Sequence, residues 1–382
     1  MNYNVPKQIG DYNKNMVLSI LRDRGPTSRV ELSRLLGISP TAITRNTTQL
    51  LKNGIVREGD AESSAIGRKP VLMELCGEFC YVLGVDMVGG TLKVALADLM
   101  GRIVKYKEEP IRRGKGSEFM EHLLKTLQAI IEEADVPTEK IWAVTVGVPG
   151  IFDEDAGRSQ FANFLDGWEE IDIRAEVFEA LNIEAIIEND VNLDIIGESW
   201  KGVGKDYEDI LYVKLGQGLA SRVVIQNKLL RGQHNAAGEI GYMMPGPVSD
   251  DTVNYEKMLR NDTMAAKYQE MTGSEDVHTI SGLCTLADAG DEAAKSILEE
   301  LLNHFAVVLL NNVSVLDPQV VILGGDACRF GEREISILKE HMERYLPLTQ
   351  HIVPSKLNKQ ACLLGAIKVG LDRVERRITE VW

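Results

Sequence analysis

The stretch 210-ILYVKLGQGLASRVVIQNKLLRGQHNAAGEIGYM-243 sets the architecture of this chain. Ile210–Leu215 is largely apolar, which predicts a strand, and it breaks at Gly216 and Gly218. A second strand over Arg222–Gln226 follows, then a polar turn at Asn227-Lys228 and a third apolar pair, Leu229-Leu230. Strand, glycine turn, strand lets backbone N–H groups close around an anion, because backbone can approach so closely only where Cβ is missing. Ala236–Gly241 then sets one carboxylate, Glu239, among small residues. A charge so confined needs partners, and a polyhydroxylated ligand supplies them.

Upstream, Tyr81–Asp98 (YVLGVDMVGGTLKVALAD) repeats the pattern, and Ile103–Lys107 reads as its third strand. The body is therefore expected to consist of two similar α/β halves. Between them, Ser117–Ala134 reads as a helix and Ile141–Val148 as a strand closed by Pro149-Gly150. A further strand, Ile183–Ile187, delivers Glu188-Asn189-Asp190 at its C-terminal end, where open α/β sheets place ligand groups. Leu301–Leu316 shows little polar face and is expected as a helix between layers, before a last strand, Val320–Leu323, and the turn Gly324-Gly325.

The N-terminal segment differs in charge. The whole chain has 382 residues and a net charge of −15, which alone argues against a polyanionic partner. Residues 1–75, however, hold 11 Lys+Arg against 7 Asp+Glu, a balance of +4 that leaves −19 on the rest. A basic head on an acidic body points to nucleic acid at the head alone. Lys14–Arg24 is amphipathic and stops at Gly25-Pro26; Thr27 or Ser28 caps a second helix, Arg29–Leu36, ended by Gly37. Ser39 with Pro40 opens a third helix running to about Lys52. Its buried stripe is Ile43, Thr47, Leu50 and Leu51, which leaves Thr41, Thr44, Arg45 and Thr48 facing out toward base edges and phosphates. A hairpin follows, Ile55–Glu58 returning as Val71–Leu75, with the basic Gly67-Arg68-Lys69-Pro70 where a wing would reach the backbone or minor groove. Threonine and arginine decorate the surface of any three-helix bundle; spacing, cap, wing and charge together predict an all-α/winged-helix DNA-binding domain.

With 44% hydrophobic and 26% charged residues the chain has the composition of a globular protein with ample core. No apolar run approaches the roughly 20 residues that span a bilayer, and MNYNVPKQIGDYNK lacks a signal-peptide core. Five scattered cysteines read as buried free thiols. These features predict a cytoplasmic protein without a membrane partner.

The winged head with GRKP, the DMVGGT turn, GVPG, NFLDGW, END, LGQG…AAGEIG, DPQVVILGG and the closing Ala361–Ala366 together resemble the ROK family of repressors and sugar kinases, over nearly the whole chain. The resemblance implies an actin/hexokinase-like, two-lobed body with ribonuclease H-like duplicated halves. Residues 1–77 would form the head, 78–195 plus about 362–382 one lobe, and 196–361 the other. It also assigns roles. Asp190 would bind a sugar hydroxyl and, in a kinase, act as the general base for attack on a phosphate. Asn189 and Asn163 would hold neighbouring hydroxyls, Glu239 would bind the sugar from its turn, and Glu256 would be the family's second glutamate. Tyr242 stands where the family often has a histidine, and Pro245–Arg260 contains no cysteine, so no structural zinc and no other metal is expected. From the residues alone, Asp190 could equally cap the following helix and Glu239 could be structural.

The phosphate loops depart from the family pattern. Aligned without a gap, Val88 falls on a glycine and Gly90 on the threonine of the first loop. A slip of one residue would restore the motif but shift the next strand's faces. In the second, Gly216-Gln217-Gly218-Leu219-Ala220-Ser221-Arg222 lacks the threonine and three later glycines. Gly89, Gly90, Gly216, Gly218, Gly324 and Gly325 would then outline a vestigial ATP site. The expectation is a sugar-responsive transcriptional regulator, most simply a repressor of carbohydrate-utilisation genes. It would bind double-stranded operator DNA and a small sugar as a homodimer or homotetramer, with no cofactor. The alternative is an ATP- and Mg-dependent kinase of a hexose or N-acetylhexosamine with an appended head, in which Arg222 would bind phosphate.

Overall fold

A computed structural model describes residues 5–60, 70–87, 90–111, 114–153, 158–160, 165–249 and 252–381. The head begins with α1 (Val5–Arg24), which starts well before Lys14. Pro6 suits the first turn of a helix, and the polar residues after it carry no apolar spacing by which to read that turn. β1 (Thr27–Ser28) pairs with a later strand, and the Ser28 side chain accepts from the Glu31 N–H to cap α2 (Arg29–Leu36). Ser39 accepts likewise from Ala42 to cap α3 (Pro40–Lys52), with Pro40 at the first helical position as expected. β2 (Val56–Asp60) and β3 (Val71–Leu75) complete the wing's flanks, with β1 on the other edge of β3. Arg68 and Lys69 lie outside the described residues.

The first half of the body runs β4 (Tyr81–Asp86), β5 (Thr91–Asp98), β6 (Ile103–Pro110), β7 (Gly114–Lys115), α4 (Gly116–Ala134) and β8 (Ile141–Val148). β9 (Ile151–Asp153) and β10 (Arg158–Gln160) pair as a ribbon, β11 (Leu165–Asp166) pairs with β7, and α5 (Ile173–Leu181) leads to β12 (Ala185–Asn189) and α6 (Asp190–Lys201). The second half contains β13 (Ile210–Leu215), β14 (Leu219–Ile225), β15 (Lys228–Leu229), the short α7 (Tyr255–Leu259), α8 (Asn261–Thr272), α9 (Ile280–Asp288) and α10 (Glu292–Leu316). It closes with β16 (Val320–Gly325), α11 (Glu332–Glu343), β17 (Ile352–Pro354) and α12 (Ala361–Val381).

The expected duplication is present in the sheets. β6-β5-β4-β8-β12 and β15-β14-β13-β16-β17 have the same order, each an antiparallel meander of three strands extended by two parallel ones. One face of the first sheet packs on α4 and α5, and one face of the second on α7–α11. The other faces meet α6 and α12. α6 packs against the second sheet through Val191 and Ile195. α12 packs against the first through Leu363, Ile367 and Leu371.

Where α6 crosses α12, side chains are absent on both. A Cβ on Gly365 would stand 1.9 Å from the Leu193 carbonyl oxygen, and one on Gly197 would stand 2.2 Å from that of Ala361. α10 is longer than the apolar run Leu301–Leu316. Its buried stripe extends back to Ala294, whereas Val315 is exposed at its end.

The head has no separate core. Val17, Leu18 and Leu21 of α1, with Leu32, Ile43, Leu50 and Met73, belong to one buried cluster with Val82, Ala95 and Ala97 of the first sheet and Leu363, Ile367 and Leu371 of α12. Polar contacts reinforce this seam: Ser19 Oγ donates to Glu375 at 3.0 Å, and the Arg22 guanidinium pairs with the other oxygen of the same carboxylate. No disulfide is formed among the described residues; Cys80, Cys284 and Cys362 are buried thiols, and burial raises each above its ordinary range.

Candidate functional site

β12 ends at Asn189 and α6 begins at Asp190, so both residues stand at the C-terminal edge of the parallel pair β8–β12. Asn189, rather than Asp190, caps the helix: its Oδ1 accepts from the N–H groups of Val191 (2.9 Å) and Asn192 (3.0 Å). Its Nδ2 donates to the Gly150 carbonyl at 2.7 Å. The side chain proposed to hold a hydroxyl is thus largely engaged in shaping the turn. Freed from capping, Asp190 points its Oδ2 at Lys214 Nζ, 2.9 Å away.

Lys214 lies mid-strand in β13, on the opposite sheet, and its ammonium is also 2.7 Å from Asp194 Oδ2, one helical turn beyond Asp190. One cation therefore serves two carboxylates across the gap between the halves, leaving one negative charge uncompensated. Asp194 carries the consequence: burial, with the Asp190 charge adding to it, pushes its carboxyl up to about 6 in spite of Lys214. Burial works to lower the Lys214 ammonium, but the two carboxylates together hold it well above the usual lysine range. Asp86 and Lys93 form a second buried pair (3.0 Å), and Lys93 also donates to the Lys359 carbonyl at 2.6 Å.

A buried guanidinium organises the other wall. Arg222, on β14 and 1% exposed, donates through Nε to Asn192 Oδ1 (2.6 Å), through Nη1 to the Ser221 carbonyl (2.6 Å), and through Nη2 to Asn189 Oδ1 (3.0 Å) and Glu239 Oε1 (2.9 Å). These partners are what the kinase alternative needed Arg222 to forgo. Glu188 completes the network, accepting from Asn192 Nδ2 at 2.7 Å and pairing with Arg231 at 2.5 Å. The turn carrying Glu239 lies flat on β14 because Gly238, at φ +91°, has no Cβ to strike the Ser221 carbonyl oxygen 2.2 Å away. Glu256, on α7, projects between the two glycine turns: its Oε2 would lie 3.3 Å from a Cβ on Gly218 and 2.9 Å from one on Gly241. Tyr242 follows Glu239 by three residues and is exposed. Asn163 lies outside the described residues.

At the glycine turn itself, the Gly216 N–H donates to the Gly218 carbonyl (3.0 Å), and the Gly216 carbonyl accepts from the Asn261 N–H (2.7 Å). Asp326, directly after Gly324-Gly325, sets Oδ2 against Gly216, 2.9 Å from where a Cβ would stand. Asn261 Nδ2 (2.7 Å) and Ser281 Oγ (2.5 Å) donate to that carboxylate and fix it. On the opposite loop Gly90 turns at φ +77°, and β4–β5 pair without a bulge from Tyr81↔Asp98 to Asp86↔Lys93. Gly89 lies outside the described residues. Reading the sequence missed Lys214, Asp326, Asn261 and Ser281. The visible signals were a lysine inside an apolar strand and an acid immediately after a double glycine.

On the head, Thr41, Thr44, Arg45 and Thr48 are all exposed on one side of α3, while Ile43, Thr47 and Leu50 are buried on the other, joined by Asn46. Arg29 is tied to Thr47 and Glu58, whereas Arg45 makes no ion pair among the described residues.

Residues 82–372 match the ROK family and residues 11–57 a winged helix-turn-helix DNA-binding family. The chain belongs to the ROK family. Among curated relatives of this ROK protein, the xylose repressor of Caldicellulosiruptor bescii is 26% identical, with 97% of each chain covered. The glucokinase of Halalkalibacterium halodurans is 25% identical but covers 69% of this chain and 86% of its own. In structure, a ROK family transcriptional regulator described as a homologue of the E. coli MLC protein superposes with a TM-score of 0.82 at 19% identity, covering 98% of this chain and 99% of its own. The repressor likeness spans head and body together. No helix among the described residues is long and apolar enough to cross a membrane.

Proposed function

We infer that this ROK protein is a sugar-responsive transcriptional repressor: the winged head binds operator DNA, and a sugar in the kinase-derived cleft alters the geometry of head and body. The observation that carries the non-enzymatic reading is the glycine turn. A nucleotide phosphate needs donors and positive charge. At Gly216 the N–H is turned onto Gly218, and the Asp326 carboxylate, held by Asn261 and Ser281, faces the turn. The sugar side, by contrast, keeps Asp190, Glu239 and Glu256, whose oxygens suit a polyhydroxylated ligand. Lys214 occupies Oδ2 of Asp190 and leaves Oδ1 for a hydroxyl.

The body's relatives named xylose repressor make pentoses the first sugars to test. A cell-interior location and a homo-oligomer pairing two heads on two half-sites accompany this reading. The test is a thermal-shift panel of pentoses, hexoses and N-acetylhexosamines, with and without Mg-ATP. A ligand at about 100 times its Kd adds roughly 2.7 kcal/mol to the folded state. A shift with one sugar and none with ATP is expected. A shift with Mg-ATP, followed by phosphoryl transfer that Asp190→Asn abolishes, would establish the kinase instead.

A further inference from the structure

At the far end of α6 from Asp190, roughly 18 Å away at 1.5 Å per residue, lies a cavity of about 660 Å³ between the head and both halves of the body. Its walls include Arg22 and Asp23 of α1, Trp200 and Lys201 at the end of α6 with Lys205 just after it, Lys368 and Asp372 of α12, and the β14–β15 hairpin. The floor is Trp200, whose indole N–H donates to Asp23 at 3.2 Å and whose ring lies 4.1 Å from the Lys201 ammonium.

Four cations line the cavity, Arg22, Lys201, Lys205 and Lys368, against the two carboxylates of Asp23 and Asp372. This is a positive site on a body that is otherwise strongly acidic. Arg22 is paired with Glu375, and Lys368 with Asp372 at 2.5 Å. Among the described residues Lys201 donates to the Gly101 carbonyl and lies over the Trp200 ring without a direct ion pair, although Asp23 and Asp98 are near enough to act on its charge, and Lys205 makes no ion pair there. Burial, with the nearby Arg22 charge, also depresses the Lys201 ammonium, a tension that an arriving anion relieves.

We propose that this cavity is a second binding site, distinct from the sugar cleft, for a small phosphate ester. Its dianion would take the Lys201 and Lys205 ammonium groups, and its body would rest on Trp200. A tetrahedral dianion can accept from several convergent donors at once, which charge-assisted hydrogen bonds favour. The volume is that of an ordinary small-molecule pocket. Because the head supplies one wall, an occupant bridges head and body and adds a second chemical input to operator binding.

The test uses the full-length protein with ribose 5-phosphate and phenyl phosphate, with ribose, phenol and inorganic phosphate as controls, read by thermal shift and by tryptophan fluorescence. The expected result is binding of at least one ester, with quenching, and little from its uncharged parent. Lys205→Glu, an exposed position outside the cores, should weaken that binding on the order of 10-fold or more, and Lys201→Gln should do the same. Asp190→Asn should leave it intact. Binding that survives both lysine changes, binding abolished by Asp190→Asn, or no response to either ester overturns the proposal.

Discussion

Arg222 and Lys214 show how single charges hold this site together. Arg222 is buried among Asn189, Asn192, Glu239 and the Ser221 carbonyl, and each loses a donor if the guanidinium goes. Breaking such a buried network leaves uncompensated polar groups and costs about 3–5 kcal/mol. Arg222→Met should therefore lower the urea midpoint by that much stability, whereas Tyr242→Phe, at an exposed position, should lower it little. Glu375 gives a pH prediction at the head–body seam. Burial, outweighing Arg22, lifts its carboxyl to about 7, with the Asp372 charge raising it further and Lys368 and Ser19 opposing. The docked state then prefers the protonated acid, so its contribution is complete below the ordinary value of 4.5 and is lost as pH rises through about 7. Glu375→Gln should flatten the fall in melting temperature between pH 5.5 and pH 8. Asp190 and Glu239 stood out because each sits in a local motif; Glu256 has no such motif and was chosen only by its place downstream. Lys214 and Asp326 did not stand out, because their meaning comes from partners far along the chain: Asp190, and the Asn261 and Ser281 side chains.

Elements were legible wherever capping and periodicity agreed. α2 and α3 are capped by Ser28 and Ser39 as read, whereas the β14–β15 turn lies at Gln226-Asn227, one residue before the expected Asn227-Lys228, with Asn227 the residue suited to positive φ. The start of α1 was not legible, because its first turn is polar; α10 also begins earlier than its longest apolar run, with Ala294, Ile297 and Leu298 continuing its buried stripe between charged residues. Packing between elements was least visible of all. Nothing local marks Gly197 and Gly365 as the crossing of α6 and α12, yet that contact joins the helix bearing Asp190 to the helix bearing Glu375. Gly365→Ala would press a methyl against the Leu193 carbonyl, 1.9 Å from its ideal position. Overpacking of this kind costs about 1–3 kcal/mol when the helices can shift apart. The expected outcome is a destabilised protein whose sugar-induced thermal shift also weakens, since Leu193 lies three residues from Asp190. Undiminished stability on chemical denaturation would show that the crossing is loose.

At the scale of the molecule, head and body share one buried cluster, so movement at the cleft has a packed route through α6 and α12 to α1. The acidic body repels DNA while the outward face of α3 offers Arg45 and three threonines, which confines DNA contact to the head. These two facts predict a separation of functions that neither half alone would give. Arg45→Ala removes an exposed cation from the α3 face and should weaken operator binding by about 1–3 kcal/mol if it reads a base, or lower the salt slope by about 1 if it meets phosphate. Either way the sugar-induced thermal shift should stay unchanged. Asp190→Asn should do the reverse: operator affinity without sugar is kept, while the thermal shift and the sugar's effect on DNA are both lost. Fluorescence anisotropy with a labelled operator, titrated at two salt concentrations with and without the sugar, reads operator affinity, its salt slope and the sugar's effect on DNA, and a melting curve with and without the sugar reads the thermal shift. If Asp190→Asn instead abolished DNA binding in the absence of sugar, the Asp190–Lys214–Asp194 cluster would be holding the DNA-competent form itself. The effector would then act by competing with Lys214 for Asp190 rather than by adding contacts of its own.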